Sequence, residues 1–333
     1  MTTLRTLGRT GPQSFPLGLG AMGMSDFYGA PDRAESIATI HAALDAGITL
    51  IDTGDFYGMG HNELLIHEAL AGRPREAVQI SVKFGAMRDP KGAFVGIDNR
   101  PAALKNFLAY SLKRLGTDYI DIYRPARLDP NVPIEETVGT LADLVKAGYI
   151  RHIGLSEVGA QTLRRAASVH PIVDLQIEYS LITRGIEAKI LPTARELGIG
   201  ITAYGVLSRG LLGGHWQAGG ASGPGDFRAH SPRFQGANLE ANLKLVETLR
   251  GVAADKGASV AQVAVAWALS RGSDIVPLIG ARRRDRLAES LGALTLELTP
   301  ADLADIERAI PADAIAGTRY APEQMALLDS ERG

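Results

Sequence analysis

Four ionisable side chains stand at the ends of two short apolar runs. Ile48-Thr-Leu-Ile-Asp52-Thr-Gly-Asp-Phe-Tyr57-Gly carries two carboxylates, Asp52 and Asp55, and a phenol. Val78-Gln-Ile-Ser-Val-Lys83-Phe-Gly carries an ammonium. An ammonium beside a phenol favours the phenolate, lowers the tyrosine from its usual value of about 10, and makes it a usable proton donor or acceptor near neutrality. Asp52 would then hold Lys83 charged and in place. Taken singly, each residue has a plainer reading: Asp52 as a helix cap, Tyr57 as a packed loop aromatic, Lys83 as a solvated strand end. Their occurrence together at successive strand ends favours the chemical reading.

Such convergence needs a scaffold that gathers strand ends. The chain alternates predicted strands over 17–22, 48–53, 78–84, 119–123, 150–155, 173–178, 200–205 and 275–279 with predicted helices over 32–46, 61–70, 101–116, 134–146, 160–169, 186–197 and 284–291. Alternation of this kind predicts a parallel sheet with helices outside, and eight units predict closure as an α/β (β/α)8 TIM barrel, whose chemistry sits at the carboxyl ends of the strands. Residues 3–8 and 14–18 read as an N-terminal β-hairpin turning at Thr10-Gly11-Pro12 and covering the barrel bottom. Three pieces break the period. Residues 207–237 are rich in Gly, Ser and Pro and read as a lid or binding loop. Residues 238–270 carry two helical patterns where one is due. Residues 311–333 form a C-terminal tail, with Tyr320 and Met325, that either folds over the site or stays mobile. The expectation is one domain over 1–333, with a long loop and extra helices after the seventh strand.

The segment Pro277-Leu-Ile-Gly280-Ala-Arg-Arg-Arg-Asp-Arg286 follows the last strand and opens a helix. Free N–H groups and the helix dipole attract phosphate there, and four arginines in five positions add cationic donors; the alternative is a solvated basic helix start. No Gly-x-Gly-x-x-Gly directly opens a helix, so a Rossmann reading fails.

In order along the chain, Asp52-Thr-Gly-Asp-Phe-Tyr57-Gly, Ser81-Val-Lys83, Gly154-Leu-Ser156, Leu175-Gln176, Ala203-Tyr204-Gly-Val-Leu-Ser-Arg-Gly210 and Pro277-Leu-Ile-Gly280-Ala-Arg282 resemble the aldo-keto reductase family. The likeness runs from about residue 4 to 310 and is greatest to a bacterial branch of larger NADPH-dependent reductases acting on sugar-like, pyridoxal-like or polycyclic carbonyl compounds. The resemblance implies that Asp52, Tyr57 and Lys83 are catalytic and that NADP(H) is the cofactor. Ser156 and Gln176 would hold the nicotinamide carboxamide, with the Tyr204 ring stacked on it. Gly280, Ala281, Arg282 and Arg286 would meet the pyrophosphate and 2′-phosphate, and Glu289 the adenine end, where relatives carry Glu-Asn and this chain has Glu289-Ser290. Gly20, Met22, Asp52, Gly205, Leu207, Arg209, Gly210 and Leu212 complete the implied cofactor set. Met22, Phe56, Phe84, Arg228 and the 207–237 loop are candidates for the pocket wall.

The chain departs from the family at one place. Relatives carry a histidine shortly after the fourth strand; the matching stretch here is Tyr123-Arg-Pro-Ala126-Arg-Leu-Asp-Pro130. Alanine neither donates a hydrogen bond nor titrates. Tyr57 and Lys83 suffice without it, or His61, Arg124 or Arg127 supplies the missing dipole, or the alanine makes room for a different substrate. The main reading is reduction of an aldehyde or ketone, Tyr57 donating the proton. A non-catalytic nucleotide-sensing subunit is the alternative, and a lyase using Lys83 as a Schiff base is a third.

Composition narrows the classes. Thirty-five basic and 37 acidic residues give a net charge of −2, so no nucleic acid or anionic membrane is expected as a partner. There are no cysteines, which removes disulfides and thiol catalysis. No metal site is expected. The N-terminal stretch has no apolar core of signal-peptide length and no run is long enough to span a bilayer, so the expected place is the cytoplasm. The sequence specifies no oligomeric state.

Overall fold

Eight strands close into a parallel barrel. A computed structural model describes residues 3–216 and 225–332. In chain order, β1 (Arg5–Thr6) and β2 (Gln13–Ser14) form the hairpin, and β3 (Gly18–Gly20) leads to α1 (Arg33–Asp45). Then come β4 (Leu50–Gly54) with α2 (His61–Ala69), and β5 (Gln79–Phe84), followed by a second hairpin of β6 (Ala86–Arg88) and β7 (Phe94–Ile97) before α3 (Pro101–Leu115). β8 (Ile120–Pro125) with α4 (Ile134–Lys146), β9 (Ile150–Ser156) with α5 (Ala160–Ala167), and β10 (Ile172–Glu178) with α6 (Ile190–Leu197) continue the alternation. β11 (Gly200–Tyr204) is followed by α7 (Gly236–Asp255) and α8 (Val260–Ser270), and β12 (Ile275–Ile279) by α9 (Arg284–Leu291). α10 (Pro300–Ala309) and the single-turn α11 (Pro322–Met325) end the chain. The barrel closes where the last barrel strand meets the first, Leu278 opposite Gly18 and Ile279 opposite Leu19.

The local signals act as expected. The Asp32 carboxylate accepts from the Glu35 N–H to start α1, and Gly47 at φ +96° ends it. Capping boxes open α8 (Ser259, Gln262) and α10 (Thr299, Asp302). β4 and β12 are buried along their whole length, and β12 reads as a continuous apolar run rather than an alternating one. The N-terminal hairpin lies under the amino ends of the strands: Arg9 N–H donates to the Gly198 carbonyl at 2.7 Å, and Leu7 plugs the barrel floor.

The 86–97 hairpin is an addition to the expected pattern, which has only a loop there. In the 207–237 segment, residues 217–224 lie outside the described residues. The rest makes short 3-10 turns at Ser208–Gly213, Phe227–His230 and Pro232–Phe234 and a bridge of Asp226 to Tyr28. The tail folds over the barrel mouth. Among the described residues, no helix is long and apolar enough to cross a membrane.

Candidate active site

Side chains on a strand alternate between its two faces. Along the inner face, Leu50, Ile122, Val276 and Leu278 fill the floor together with Leu7. Two residues further on, the same face carries Asp52, Ser81, Arg124 and Thr202, joined at that level by Asp174, all buried. The next step carries Lys83, Ala126, Ser156, Gln176 and Tyr204. Gly154 leaves necessary room in the middle layer: a Cβ there would stand 2.4 Å from Asp174 Oδ1 and 3.1 Å from the Arg124 guanidinium carbon. The polar groups form one connected chain. Arg124 lies 3.0 Å from Asp174 and donates to Ser81 Oγ at 3.0 Å. Ser81 Oγ donates to Asp52 Oδ1 at 2.9 Å, and Gln176 Nε2 donates to the same oxygen at 2.7 Å. Lys83 Nζ holds the other oxygen of Asp52 at 2.5 Å. Asp52 thus fixes the ammonium and takes three donors itself.

Tyr57 follows β4 in a tight turn. Gly58, Met59 and Gly60 sit at φ +55°, +52° and +95°, a run that glycine tolerates and Met59 adopts at a cost. The turn is pinned by buried Asn62, which accepts from Thr53 Oγ1 at 2.6 Å and donates to the Ala21 carbonyl at 2.9 Å and to Ser25 Oγ at 2.7 Å. Lys83 Nζ lies 5.1 Å from the centre of the Tyr57 ring. Among the described residues the phenol hydroxyl makes no hydrogen bond.

Its electrostatics correct the sequence expectation. Burial and then the Asp52 carboxylate push the Tyr57 phenol well above its usual value, and Arg127 opposes them. Burial pushes the Lys83 ammonium down, with Asp52 pulling it back up. Tyr57 is therefore held protonated, not acidified by Lys83: in this state it is a proton donor with a free hydroxyl.

Ala126 continues the inner series Ile122, Arg124 and is 1% exposed. Of the three residues weighed as substitutes, Arg124 belongs to the layer below. His61 Nδ1 pairs with Ser25 Oγ at 2.8 Å, outside the barrel. Arg127 is half-buried at the mouth. Phe84 is not a pocket residue: as the neighbour of inward Lys83 it faces outward by parity, is fully buried and stacks on Tyr123 at 4.4 Å. Phe56 does line the mouth, edge-on to Tyr57 at 4.8 Å, and Met22 is half-buried. Arg228 pairs with Asp226 at 2.5 Å and stands over the Tyr28 and Trp216 rings. The sequence reading missed Phe27, Phe94 and Phe227. Phe27 meets Tyr57, Phe94 and Phe227 at ring separations near 6 Å. Phe94 comes from the unforeseen hairpin.

The implied cofactor residues fall into three groups. Ser156 Oγ is buried without a hydrogen-bond partner, while Gln176 is already committed to Asp52. Tyr204 hydroxyl donates to Glu157 Oε1 at 2.7 Å and lies 3.1 Å from the Tyr320 hydroxyl. Beyond it the backbone turns through positive φ at Gly205, Arg209 and Gly210. Leu207 packs against the core, and the Leu212 side chain is wholly within it, so Leu212 offers only its backbone. Arg209 also departs from expectation: it is turned into the protein, donating to the Arg319 carbonyl at 2.8 Å and to Glu178 at 3.2 Å. At the last strand, Gly280 has open space where a side chain would go, and Gly20 has only backbone at 3.8 Å or beyond. Ala281 is buried. Arg282 donates to the Tyr28 carbonyl at 2.8 Å, and Arg286 pairs with Glu289 at 3.2 Å. Glu289 also accepts from His215 at 2.8 Å. A groove of about 680 Å³ lined by Ala30, Asp32, Glu35 and Arg282 to Asp285 runs beside the start of α9.

The tail supplies a cluster that no motif announced. Arg319 makes a forked pair with Glu157 at 2.6 and 2.8 Å and reaches Glu331 at 2.8 Å. Arg209 and Arg233 lie against Glu178 at 3.2 and 3.3 Å. Burial pushes the Glu157 carboxyl up, but Arg319, Arg127 and the Ser330 hydroxyl outweigh it and bring it down to about 2.

Comparison with known proteins agrees with this geometry. A model described as "Aldo/keto reductase family" matches residues 16–311. A protein from Glycine max named "Probable aldo-keto reductase 1" is 42% identical over 319 residues, covering 94% of this chain and 90% of that protein. The structure of a glycerol dehydrogenase from Gluconobacter oxydans superposes with a TM-score of 0.83 at 31% identity, covering 96% of this chain and 99% of that one. The holo form of an aldo-keto reductase from Bacillus halodurans superposes with a TM-score of 0.76 at 25% identity, over 94% and 97%.

Proposed function

Because this chain belongs to the aldo/keto reductase family, an oxidoreductase family acting on carbonyl compounds, we propose that it reduces an aldehyde or ketone to the alcohol with NADPH, and that Tyr57 donates the proton. The observation that carries this reading is the Tyr57 hydroxyl, without a hydrogen-bond partner among the described residues, beside a buried ammonium that Asp52 holds.

The residues fit a nicotinamide nucleotide. The unpartnered Ser156 hydroxyl supplies a buried donor and acceptor where the carboxamide would lie, beside the Tyr204 ring. Gly280 leaves the backbone open at the end of β12, and the arginines of the α9 groove present cations to phosphate. Their number favours the phosphorylated nucleotide, NADP(H), over NAD(H). When bound, the reduced nicotinamide supplies the hydride. The chain's own part is to hold the substrate oxygen against Tyr57, to exclude water with the aromatic wall, and to pass the phenolic proton to the developing alkoxide. Phe27, Phe56, Phe94 and Phe227 favour a substrate with an apolar, flat body.

The test is consumption of NADPH with a broad carbonyl panel. The expected result is turnover by the parent enzyme and its loss in Tyr57→Phe, which still binds NADPH. The sensor alternative rests on Ala126 alone. Tight NADPH binding with no turnover across the panel would establish it in place of the reductase.

A further inference from the structure

Every other buried cation around the barrel mouth is matched. Lys83, Arg209, Arg233 and Arg319 each hold a carboxylate. Arg127 has none within 4.0 Å among the described residues, and no Asp or Glu occurs in 217–224. Its backbone is clamped: the Asn99 side chain donates to the Arg127 carbonyl at 2.9 Å, and the Ala126 N–H donates to the Phe84 carbonyl at 2.7 Å. Its guanidinium folds back so that Nη1 donates to the Ala126 carbonyl at 2.6 Å. That is one hydrogen bond for a group with five N–H donors. Its other donors have no protein acceptor among the described residues, and its charge is favoured by nearby Tyr204, Tyr320 and Glu157 rather than by a paired carboxylate. Its charge is felt by Tyr57 and Lys83 on one side and by Tyr204 and Glu157 on the other.

We propose that Arg127 donates a hydrogen bond to the substrate's carbonyl oxygen, in place of the imidazole that Ala126 removes. The inference rests on the reductase reading above. As hydride adds to the carbonyl carbon, the C=O π pair moves onto oxygen, Tyr57 gives its proton to that oxygen, and the phenolate takes a proton back from solvent. Arg127 transfers no proton; it stabilises the charge that develops between these events. His61 is held by Ser25 outside the barrel and Arg124 lies in the layer below beside Asp174, which leaves Arg127 as the donor in place.

The experiment compares the full chain with Arg127→Met, Arg127→Lys and the double variant Ala126→His with Arg127→Met. Three quantities are read: NADPH affinity by quenching of protein fluorescence, kcat and KM with the panel compounds the parent turns over best, with and without a carboxylate, and the Tyr57 titration in cofactor-free protein as an absorbance difference from Tyr57→Phe. For Arg127→Met we expect an unchanged NADPH affinity, a kcat lower by about 10²–10³ with little change in KM, and a Tyr57 that titrates at higher pH. Arg127→Lys retains part of kcat, and the imidazole of the double variant restores about tenfold or more. Should Arg127→Met fail to fold, the lysine and double variants carry the test. Undiminished kcat in Arg127→Met overturns the inference, as does an effect on KM alone that is confined to substrates bearing a carboxylate, which would make Arg127 an anion anchor. A parent enzyme that consumes no NADPH across the panel removes the reductase reading and this inference together, a result distinct from either.

Discussion

The two halves of the barrel mouth handle buried charge in opposite ways. On the side of β4, β5 and β8, one carboxylate, Asp52, holds one ammonium, and the donors left without a partner at the mouth include the Tyr57 hydroxyl and most of the Arg127 guanidinium. On the side of β9, β10 and β11, two carboxylates, Glu157 and Glu178, are enclosed by Arg209, Arg233 and Arg319 with scarcely an acceptor to spare. Saturation is what a structural joint needs, because an unpaired buried charge is expensive. Idle donors are what a reacting centre needs, since they wait for an oxygen that only the substrate brings. The contrast separates catalytic from architectural charge more cleanly than burial does, for both halves are buried.

The contrast can be broken in several places. Its largest expected effect is on chemistry: Tyr57→Phe lowers carbonyl-dependent NADPH oxidation by about 10²–10⁴ while the melting temperature stays near that of the parent. A Tyr57→Phe enzyme that keeps its rate would remove the distinction. The converse belongs to the tail side: Arg319→Met strands Glu157 and lowers stability by about 3–5 kcal/mol, measured by denaturant unfolding. The two halves also carry opposite pH signatures. The Glu157 carboxyl is depressed to about 2, so its contribution is present above the ordinary carboxylate value and is lost as pH falls from there through about 2. Asp55, on the Tyr57 side, is raised by burial, and next by Glu63, to about 8. Its contribution is therefore complete below its unfolded value and is lost as pH rises through about 8. Unfolding free energies measured across pH should show the acid loss weakened in Glu157→Gln and the alkaline loss weakened in Asp55→Asn. The smallest effect is expected in the α9 groove, where Arg284→Ala raises the KM for NADPH by about tenfold or less and leaves that for NADH unchanged.

Much of the fold was legible because its signals are local. Apolar runs, Gly47 and Gly116 as helix stops, and Pro101 as a helix start mark the alternation without reference to anything distant. The same holds for Asp52 and Lys83, whose inward aim follows from strand ends and parity, while Tyr57 is brought to them by the turn after β4. Parity was also available for Phe84, and applying it there would have removed that residue from the pocket wall. The acidity of Tyr57 was not legible, because its sign depends on how completely the site is dried, and burial proves stronger than the neighbouring ammonium. The pairing of Arg209 was not legible for a related reason: its partners Glu178 and the Arg319 carbonyl come from segments far along the chain. No spacing rule links Glu157 to Arg319. The role of Phe94 depends on a hairpin whose strands are short and whose pairing shifts register.

That long reach has a kinetic side. Arg319 meets Glu157 across 162 residues of chain and Glu178 across 141, so the joint can form only after the intervening strands have found their order. During refolding the mouth should close last, behind the bulk of the helical signal. In the folded protein, fluctuations that lift residues 317–332 need not disturb the barrel, so amides of the tail should exchange with solvent well before those of the barrel strands.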